Sequence, residues 1–378
     1  MKATSISFED FRNIREAKVE FSPGVNVLWG ANAQGKSNIL EGMYYFARGK
    51  SFRGVPDKLL VRTGCDFGTA SLTCRGEGDV YDTHLSVTFP TRGKKRITRG
   101  GAPLSGVKEL VGSFRAVLFC PEHLSLVTGA PAERRAFLDI ALAQLYPDYV
   151  AALSTYTRAL TERNALLKQA AEGWHVEDNQ WAVYARQLAR SGAAVIARRS
   201  AYTDRLSELV GECFHDMTGG REIPRLTYVC AAGSDAPVDL PHRSESAVAD
   251  RLYAVLTERL AKEIAAGTTL YGIHRDDVAV ELNDQSARLY ASQGQRRSLA
   301  LAMKLAEGAI SRSVGGEEPV YLLDDVFSEL DGERREYLLS ALGRRQVIIT
   351  TCEGENIFDR ISDVALFAVE DGRVQRKR

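Results

Sequence analysis

The chain has 378 residues, 44% of them hydrophobic, so it is long enough for more than one domain and apolar enough to bury a core. Its 49 Lys and Arg residues balance its 49 Asp and Glu residues, which excludes a protein that binds nucleic acid through overall positive charge and leaves only a local basic patch for that purpose. The six cysteines lie apart, without Cys-x-x-Cys pairs or histidines at metal-ligand spacing, so we expect reduced thiols. Neither a signal peptide nor a membrane-spanning apolar run is recognisable. We therefore expect a cytoplasmic protein without membrane contact.

The first part of the chain predicts strands that lead to a phosphate-binding loop. Residues 4–8 and 19–21 alternate polar and apolar side chains and flank Asp10-Phe-Arg12-Asn13. Residues 25–29 predict a further short strand, which is followed by the segment 30–37, Gly-Ala-Asn-Ala-Gln-Gly-Lys-Ser. Downstream, apolar side chains between Ile39 and Ala47 share one helical face. Strand, glycine-rich loop and helix form the context that the phosphate-binding motif requires.

The residue types of this loop suit a nucleoside triphosphate. Gly30 and Gly35 permit backbone conformations that a Cβ atom would penalise, so that N–H groups turn towards phosphate oxygens at the positive end of the following helix. Lys36 is expected to reach the β- and γ-phosphates, and the Ser37 hydroxyl to bind Mg²⁺. An ordinary strand-to-helix turn is the alternative. The predicted nucleotide-binding residues of this segment are Gly30, Ala31, Asn32, Ala33, Gln34, Gly35, Lys36, Ser37 and Asn38.

Residues 66–100 predict an antiparallel sheet, with the clearest alternation in His84-Leu-Ser-Val-Thr-Phe89 and a turn at Pro90 and Gly93. Basic side chains gather on that hairpin and are candidates for contact with the phosphate backbone of DNA. A solvated hairpin tip explains them equally well. These residues are Arg92, Lys94, Lys95, Arg96 and Arg99.

The middle of the chain is predicted to be helical. Residues 132–168 are rich in Ala, Leu, Arg and Glu at helical spacing, and in residues 179–217 apolar side chains recur at every seventh position, a period typical of a seam between helices. The two stretches are therefore expected to pair as a short antiparallel arm around Gly173. A third helix is expected over residues 246–266, after the Pro- and Gly-containing segment that ends at Pro241. The heptad positions are Trp181, Leu188, Val195, Tyr202 and Leu209.

A second set of nucleotide-binding signals follows the arm. The apolar run Val320-Tyr-Leu-Leu323 is typical of a parallel strand covered on both faces. It places Asp324 and Asp325 at its carboxyl end, where open α/β sheets bind ligands. Asp324 is expected to hold Mg²⁺, directly or through water, and Asp325 to polarise the attacking water. Capping of the next helix is the alternative for this pair. A further buried strand, residues 346–349, brings Thr350-Thr351 to the same crevice.

Between the arm and the strand that ends in the two aspartates, a Ser-x-Gly-Gln sequence opens a long amphipathic helix. Its serine suits the N-cap of that helix, which is the structural alternative. The same sequence between two phosphate motifs resembles the signature of the ATP-binding-cassette (ABC) superfamily, which caps the γ-phosphate bound by a second subunit at a positive helix end. The predicted in-trans residues are Ser292, Gln293, Gly294, Gln295 and Arg296, and the predicted dimer-interface loop is Ser328-Glu329-Leu330-Asp331, with Glu329 and Asp331 as its charged residues.

Together these motifs resemble the RecF family of bacterial recombination mediators, in the expected order along nearly the whole chain. Ala33 departs from the glycine usual in the family and Ile273 from the usual proline. Relative to transporter ATPases, Asp325 stands where a catalytic Glu is typical and Thr350-Thr351 where a switch His is expected. The segments that carry the resemblance are Gly30 to Ser37, Lys50-Ser-Phe-Arg53, Phe119-Cys-Pro-Glu122, Gly129-Ala-Pro131 with Arg134-Arg135 and Phe137-Leu-Asp139, His274-Arg-Asp-Asp277, Ser292 to Gln295, and Leu323-Asp-Asp-Val with Glu329-Leu-Asp331.

The resemblance implies an α/β, ABC-type P-loop ATPase similar to the heads of SMC and Rad50 proteins, with an inserted helical arm domain. The expected domains are the two parts of the ATPase domain, residues 1–125 and 269–378, and the arm, residues 126–268. It also implies ATP and Mg²⁺ as cofactors, slow hydrolysis, an ATP-dependent homodimer, binding of single- and double-stranded DNA and their junctions, and cooperation with RecR and RecO to load RecA on gapped DNA. An SMC- or Rad50-type chromosome-maintenance ATPase, or another ABC-type ATPase that does not act on gapped DNA, is the alternative.

Further residues take their expected roles from the resemblance. Arg12 and Asn13 are implied to lie near the nucleotide, and Arg12 is the stronger candidate for phosphate contact because its guanidinium can meet phosphate bidentately; a surface salt bridge is the alternative for Arg12. For His274-Arg-Asp276 we expect a structural or interface role. Further candidates for DNA contact, with ordinary solvated faces as the alternative, are Arg134-Arg135, Arg198-Arg199 and Arg376-Lys-Arg378.

Overall fold

The computed structural model describes residues 1–230, 244–343, 345–352 and 364–377, so Pro241 and Arg378 lie outside the described residues. The chain divides into two compact units, a first unit of Met1–Leu124 with Arg297–Arg378 and a second unit of Ser125–Arg296. The described helices are α1 Lys36–Arg48, α2 Val107–Leu110, α3 Ser125–Thr128, α4 Pro131–Leu145, α5 Pro147–Ala171, α6 Asp178–Thr218, α7 Glu245–Glu258, α8 Leu260–Ala266, α9 Ala287–Tyr290, α10 Gln293–Gly315 and α11 Gly332–Leu342. The described strands are β1 Lys2–Phe11, β2 Ile14–Glu20, β3 Val25–Trp29, β4 Phe67–Arg75, β5 Thr83–Pro90, β6 Arg96–Arg99, β7 Ala102–Pro103, β8 Ala116–Phe119, β9 Pro224–Val229, β10 Asp277–Leu282, β11 Gln285–Ser286, β12 Val320–Asp324, β13 Val347–Thr351, β14 Ala365–Glu370 and β15 Arg373–Arg376.

The first unit contains two six-stranded sheets. One is antiparallel, with the order β2-β1-β4-β5-β6-β7, and includes the sheet predicted from residues 66–100. The other has the order β15-β14-β3-β13-β12-β8 and is parallel except for the β14–β15 pair. Because parallel strands end at one edge, the segments that follow β3, β13, β12 and β8 lie side by side.

Helix α1 packs against strands of both sheets, β4 on one side and β8, β12 and β13 on the other. The sequence predicts one apolar face, yet Tyr45 and Phe46 are also fully buried because the helix is covered on two sides. Close packing explains Gly42, where a Cβ atom would stand 2.2 Å from the ring of Phe8. The helix that follows the phosphate loop is therefore a rigid part of the core.

The second unit contains the predicted arm, with α5 packed on the 41-residue helix α6 across a turn that includes Gly173. The helix predicted over residues 132–168 is two helices, because Pro147 has no N–H and begins a new one. The helix predicted over 246–266 is likewise interrupted at Arg259. Along α6 the first four heptad positions are buried. The fifth, Leu209, is only half-buried, and its neighbour Val210 is fully buried, because a helix with 3.6 residues per turn drifts relative to a seven-residue repeat.

A three-stranded antiparallel sheet, β11-β10-β9, completes the second unit. The sequence prediction contained neither β9 nor its pairing with β10. This pairing groups residues 269–296 with the second unit, whereas the sequence places them in the last part of the ATPase domain. The physical reason is the ladder of backbone hydrogen bonds between β9 and β10, which joins residues 269–296 to the strand that follows α6.

Within the described residues, no helix combines the length and the hydropathy needed to cross a bilayer.

Candidate nucleotide-binding site

The segment 30–35 connects β3 to α1 at the carboxyl edge of the parallel sheet. Gly30 has φ 155° and Gly35 has φ 111°, conformations that side chains rarely adopt. A Cβ atom would also stand 2.3 Å from the Val369 carbonyl oxygen at Gly30, and 2.8 Å from Asn13 Oδ1 at Gly35. Ala33 has φ 64°, a left-handed conformation that glycine adopts with less strain. The loop therefore has the tight backbone that the glycine spacing predicts.

Lys36 is held against the backbone of this loop. Its Nζ donates hydrogen bonds to the carbonyl oxygens of Gly30 and Ala31, each at 2.7 Å. The same Nζ lies 3.3 Å from Cys352 Sγ, and the thiol donates to Asn32 Oδ1 at 2.7 Å. Only 6% of Lys36 is exposed, so its stem is packed while its ammonium group stays at the loop.

Asp324 ends β12 at the same sheet edge, with β13 between it and the strand that feeds the loop. The hydroxyl of Thr350 donates to Asp324 Oδ1 at 2.7 Å and accepts from the Asp325 N–H at 3.0 Å, which orients the carboxylate of Asp324. Asp325 has φ 51°, a left-handed conformation. Its side chain makes no capping hydrogen bond to the described 3₁₀ turn Val326–Glu329, so the capping alternative does not apply to Asp325.

The donor set at this edge suits Mg²⁺. The Ser37 hydroxyl and the Asp324 carboxylate are hard oxygen donors, and Asp324 is 7% exposed. Among the described residues, no group of three or more His, Cys, Asp or Glu side chains has metal-binding geometry. Mg²⁺ commonly uses one or two protein ligands together with phosphate oxygens and water.

Arg12 is bound by a carboxylate that the sequence analysis did not single out. Its Nε and Nη2 donate to Glu41 Oε2 and Oε1 at 2.9 and 2.7 Å, and Glu41, on α1, is completely buried. The hydroxyl of Ser51 also donates to Glu41, and Arg53 Nη1 lies 3.6 Å from it. Arg12 therefore makes a salt bridge, but to a buried partner. Its contact with nucleotide stays a prediction.

Removal of the Glu41 carboxylate is expected to destabilise the first unit. Glu41→Ala leaves Arg12 and Arg53 without their shared anion, and breaking such a buried pair costs about 3 kcal/mol of the free energy of unfolding. Urea unfolding followed by circular dichroism measures this loss. As a control, Glu20→Ala removes a carboxylate whose pair with Lys18 is solvent-exposed, and its unfolding midpoint should stay nearly unchanged. Equal midpoints for the two variants would contradict the role of Glu41.

Asparagine side chains connect the phosphate loop to its surroundings. Asn13 Nδ2 donates to the Gln34 carbonyl oxygen at 3.2 Å, and Asn38 Nδ2 donates to Asn13 Oδ1 at 2.8 Å. Arg53 Nη1 donates to Asn38 Oδ1 at 2.8 Å. These bonds support the loop from the β1–β2 turn and from the segment after α1. The structure thus brings the predicted Asn13 and Asn38 together beside the loop.

The signature segment lies in the second unit and begins α10. Ser292 Oγ accepts from the Gln295 N–H at 3.2 Å, and Gln295 Oε1 accepts from the Ser292 N–H at 2.6 Å. This reciprocal arrangement is a capping box. Gln295 Nε2 also donates to Glu222 Oε1 at 2.5 Å. The N-cap alternative for Ser292 is therefore present, and it leaves Ser292 and Gln293 exposed at the positive end of a 23-residue helix.

The predicted dimer-interface loop lies in the first unit, between β12 and α11. Glu329 accepts from Arg297 Nη2 at 2.9 Å. Asp331 is the N-cap of α11, and the hydrogen bond from the Arg334 N–H, at 3.0 Å, holds the pKa of Asp331 below its usual value. Both carboxylates thus have partners within their own unit. Their place in a dimer interface stays a prediction.

Two cations of the basic hairpin make hydrogen bonds to neighbouring segments. Lys95 Nζ donates to Asp57 Oδ2 and to the Tyr45 hydroxyl, each at 2.6 Å. Arg99 donates to the Glu109 carbonyl oxygen and to Ser113 Oγ. These two cations therefore hold the sheet to its neighbours. The exposed cations that remain as candidates for DNA contact are Arg92, Lys94 and Arg96.

Two further arginines weighed for DNA contact are buried. Arg134 is 5% exposed and makes two hydrogen bonds to Asp277, at 2.7 and 2.9 Å. Arg199 is 2% exposed and binds Asp139 at 3.0 and 2.7 Å. Both are structural residues of the second unit, because their charges are satisfied inside it. Their sequence neighbours Arg135 and Arg198 are less buried.

The segment that begins at His274 is anchored within the second unit. His274 Nε2 donates to the Thr269 carbonyl oxygen at 3.1 Å, so Nδ1 accepts from the Tyr156 hydroxyl at 2.8 Å. Burial lowers the pKa of His274 to about 4. Asp276 is fully buried and accepts from the Tyr228 hydroxyl. These contacts agree with the structural role expected for this segment.

Known proteins resemble this chain over its whole length. Residues 2–375 match the family described as the RecF/RecN/SMC N terminal domain. The DNA replication and repair protein RecF of Desulfitobacterium hafniense (strain DSM 10664 / DCB-2) is 35% identical over 378 residues, 100% of both chains. The chain belongs to the RecF family. The resemblance predicted from the motifs is thereby confirmed.

Solved structures agree with this assignment. The recombination mediator protein RecF-ATP of the RecFOR pathway has a TM-score of 0.91 and 32% identity, covering 100% of this chain and 97% of that chain. An Smc head domain from Pyrococcus furiosus has a TM-score of 0.57 and 15% identity, covering 99% and 95%, and shares the fold. The predicted α/β fold of the ABC type, similar to SMC heads, is confirmed.

Proposed function

We propose that this chain is an ATP-dependent, DNA-binding recombination mediator of the RecF type. It binds ATP with Mg²⁺, dimerises on ATP, binds DNA at junctions of double and single strands, and acts in the cytoplasm with RecR and RecO to promote RecA loading on gapped DNA. The observation that carries the proposal is full-length similarity to RecF proteins together with a phosphate loop and an oriented aspartate at one sheet edge.

The geometry suggests how each residue acts. Binding of a triphosphate would turn the Lys36 ammonium from two carbonyl oxygens to phosphate oxygens, while the loop N–H groups and the α1 terminus stabilise negative charge. Ser37 and Asp324 would hold Mg²⁺, which neutralises phosphate charge when it is bound. Asp325 would orient the attacking water. Its side chain is one methylene shorter than that of glutamate, so hydrolysis should be slow and ATP should act as a timed clamp. A turnover rate equal to that of transport ATPases would contradict this.

The proposed dimer divides the residues of each nucleotide-binding site between two copies of the chain. The phosphate loop and Asp324 belong to the first unit and the signature to the second. In the proposed dimer, Ser292 and the α10 terminus of one copy meet the γ-phosphate bound by the other. Each dimer therefore closes two equivalent sites, and hydrolysis opens them.

The proposal is tested by the affinity for gapped DNA with and without a slowly hydrolysed ATP analogue. We expect tighter binding with the analogue and weaker binding as salt rises, because neutralised phosphates release counterions. Affinity falls as salt rises, so the slope of log affinity against log salt is negative. Replacement of Arg92, Lys94 and Arg96 by alanine should make this slope less steep, by about 0.9 for each DNA phosphate that the variant no longer neutralises. Fluorescence anisotropy at several salt concentrations measures both effects.

A control variant removes the same charge elsewhere, by alanine at the exposed Lys18, Lys168 and Lys262. An equal decrease in affinity in both triple variants would mean that the hairpin is not the DNA-binding surface. Equal affinities for gapped and continuous duplex DNA would instead favour an ABC-type ATPase that does not act on gaps.

A further inference from the structure

Two large apolar side chains stand exposed immediately before the signature segment. Leu289 is 68% exposed and Tyr290 is 69% exposed, at the end of the short helix α9. In the described part of the chain, neither side chain takes part in a hydrogen bond or a ring contact. Exposed apolar residues are common on protein surfaces, so the position of this pair beside the signature, and not its exposure alone, makes it a candidate contact surface.

The pair is held in place by its neighbours. Ala287 and Ala291, on either side, are buried, and the Ala291 N–H donates to the Ala287 carbonyl oxygen at 3.2 Å. Arg296 Nη2, from the first turn of α10, donates to the Arg288 carbonyl oxygen at 3.0 Å. The Ser292–Gln295 capping box fixes the chain directly after the pair. Little backbone freedom would therefore be lost if the pair became covered.

We propose that Leu289 and Tyr290 form an apolar contact of the ATP-dependent dimer, where they pack on a second copy of this chain around its phosphate loop. This inference rests on the proposed function, since it requires Ser292 to meet nucleotide bound by the second copy. Tyr290 precedes Ser292 by two residues on a segment that α10 holds rigid, so a surface that covers one must lie close to the other. The tip of the phosphate loop, Ala31-Asn-Ala33, is exposed and suits such a neighbour.

Symmetry strengthens the expected effect. A dimer with a twofold axis contains each contact twice, so the effect of a substitution is incurred at both pairs. Exposed aromatic residues near the centre of an interface commonly contribute more than tenfold each to affinity. Replacement of both residues by alanine is therefore expected to weaken the dimer by at least about 100-fold, because a tenfold effect of Tyr290 is incurred at both contacts.

The test is sedimentation velocity of Leu289→Ala/Tyr290→Ala with Mg²⁺ and a slowly hydrolysed ATP analogue, over a range of protein concentrations. Binding of a fluorescent ATP analogue at low protein concentration, where the monomer predominates, should stay at the level of the unaltered protein. Tyr290→Phe should dimerise normally, because the contact uses the ring. The matched control is Val80→Ala/Tyr81→Ala, an adjacent aliphatic–tyrosine pair that is 77% and 84% exposed between β4 and β5. It should leave the dimer unchanged.

The outcomes separate the inference from the proposed function. If Ser292→Arg abolishes the dimer while the Leu289–Tyr290 double variant dimerises normally, the inference is wrong and the proposed dimer stands. If Ser292→Arg also dimerises normally, the in-trans site itself is wrong. A decrease in DNA affinity in the double variant with unchanged dimerisation would assign the pair to DNA and overturn the inference. An equal weakening by the Val80–Tyr81 control would overturn it as well.

Discussion

Replacement of Ser292 by arginine is expected to abolish the ATP-dependent dimer while each monomer still binds ATP. In the proposed dimer, this serine lies within hydrogen-bond reach of a phosphate bound by the partner, so a long side chain would hold the two copies apart. It would also place a cation at the positive end of α10 and remove the Ser292–Gln295 capping box. We expect the dimer affinity to fall by more than about 100-fold, equivalent to about 2.7 kcal/mol.

Gel filtration and sedimentation with and without ATP measure this effect. Ser244→Arg is the matched control, because Ser244 caps α7 through the Ala247 N–H at 3.3 Å and lies outside the signature. It loses a comparable cap and gains the same charge, and it should still dimerise. Dimerisation of Ser292→Arg at the normal ATP concentration would show that the serine does not face nucleotide in the partner.

Replacement of Lys36 by methionine is expected to remove ATP binding, dimerisation and hydrolysis together. Methionine preserves the buried stem but has no ammonium group to meet the β- and γ-phosphates. Hydrogen bonds between charged groups contribute about 1.5–3 kcal/mol each, and the lysine supplies more than one. We therefore expect ATP affinity to fall by at least about 100-fold, measured by isothermal titration calorimetry.

Two controls show whether loss of ATP binding in Lys36→Met is caused by loss of the Lys36 ammonium group. Lys50→Met removes an exposed lysine just beyond α1 and should leave ATP affinity unchanged. Lys36→Met should also keep a thermal midpoint close to that of the unaltered protein, because Lys36 pairs with loop carbonyl oxygens and with no buried carboxylate among the described residues. Normal ATP affinity in Lys36→Met would refute the role of the loop.

Lys36→Met and Ser292→Arg are expected to damage opposite halves of the nucleotide site that two copies share. Lys36→Met acts on the copy that binds the nucleotide and Ser292→Arg on the copy that closes over it. A mixture of the two variants should therefore form a dimer with one intact composite site. Partial recovery of ATP-dependent association in that mixture would support a site shared between copies.

Sequence patterns located much of the candidate site because its parts are local. The glycines of the phosphate loop, the strand before it and the helix after it lie within one continuous stretch, so spacing alone reports their arrangement. The pair Asp324-Asp325 is located for the same reason, since a buried strand leads directly to it. The N-cap at Ser292 is also local, because a capping residue is adjacent in sequence to the helix that it caps.

Other features were missed because they depend on distant partners. Glu41 looked like an ordinary helix residue, although a carboxylate among apolar positions was a signal that it needed a buried cation. Strand β9 was not predicted because it is only six residues long and is stabilised by its pairing with β10, which is distant in sequence. The hairpin cations Lys95 and Arg99 could not be distinguished from Arg92, Lys94 and Arg96 until their acceptors were known.

By itself, the sequence determined the phosphate loop, the strand that carries the aspartates, the helical arm and the family, because each is specified by neighbouring residues or by motif order. Only the tertiary structure decided that Thr350 orients Asp324, that Glu41 holds Arg12 and that the signature groups with the arm. Strand order and helix packing bring these partners together across long stretches of chain. Local periodicity contains no information about which distant side chain will satisfy a buried charge.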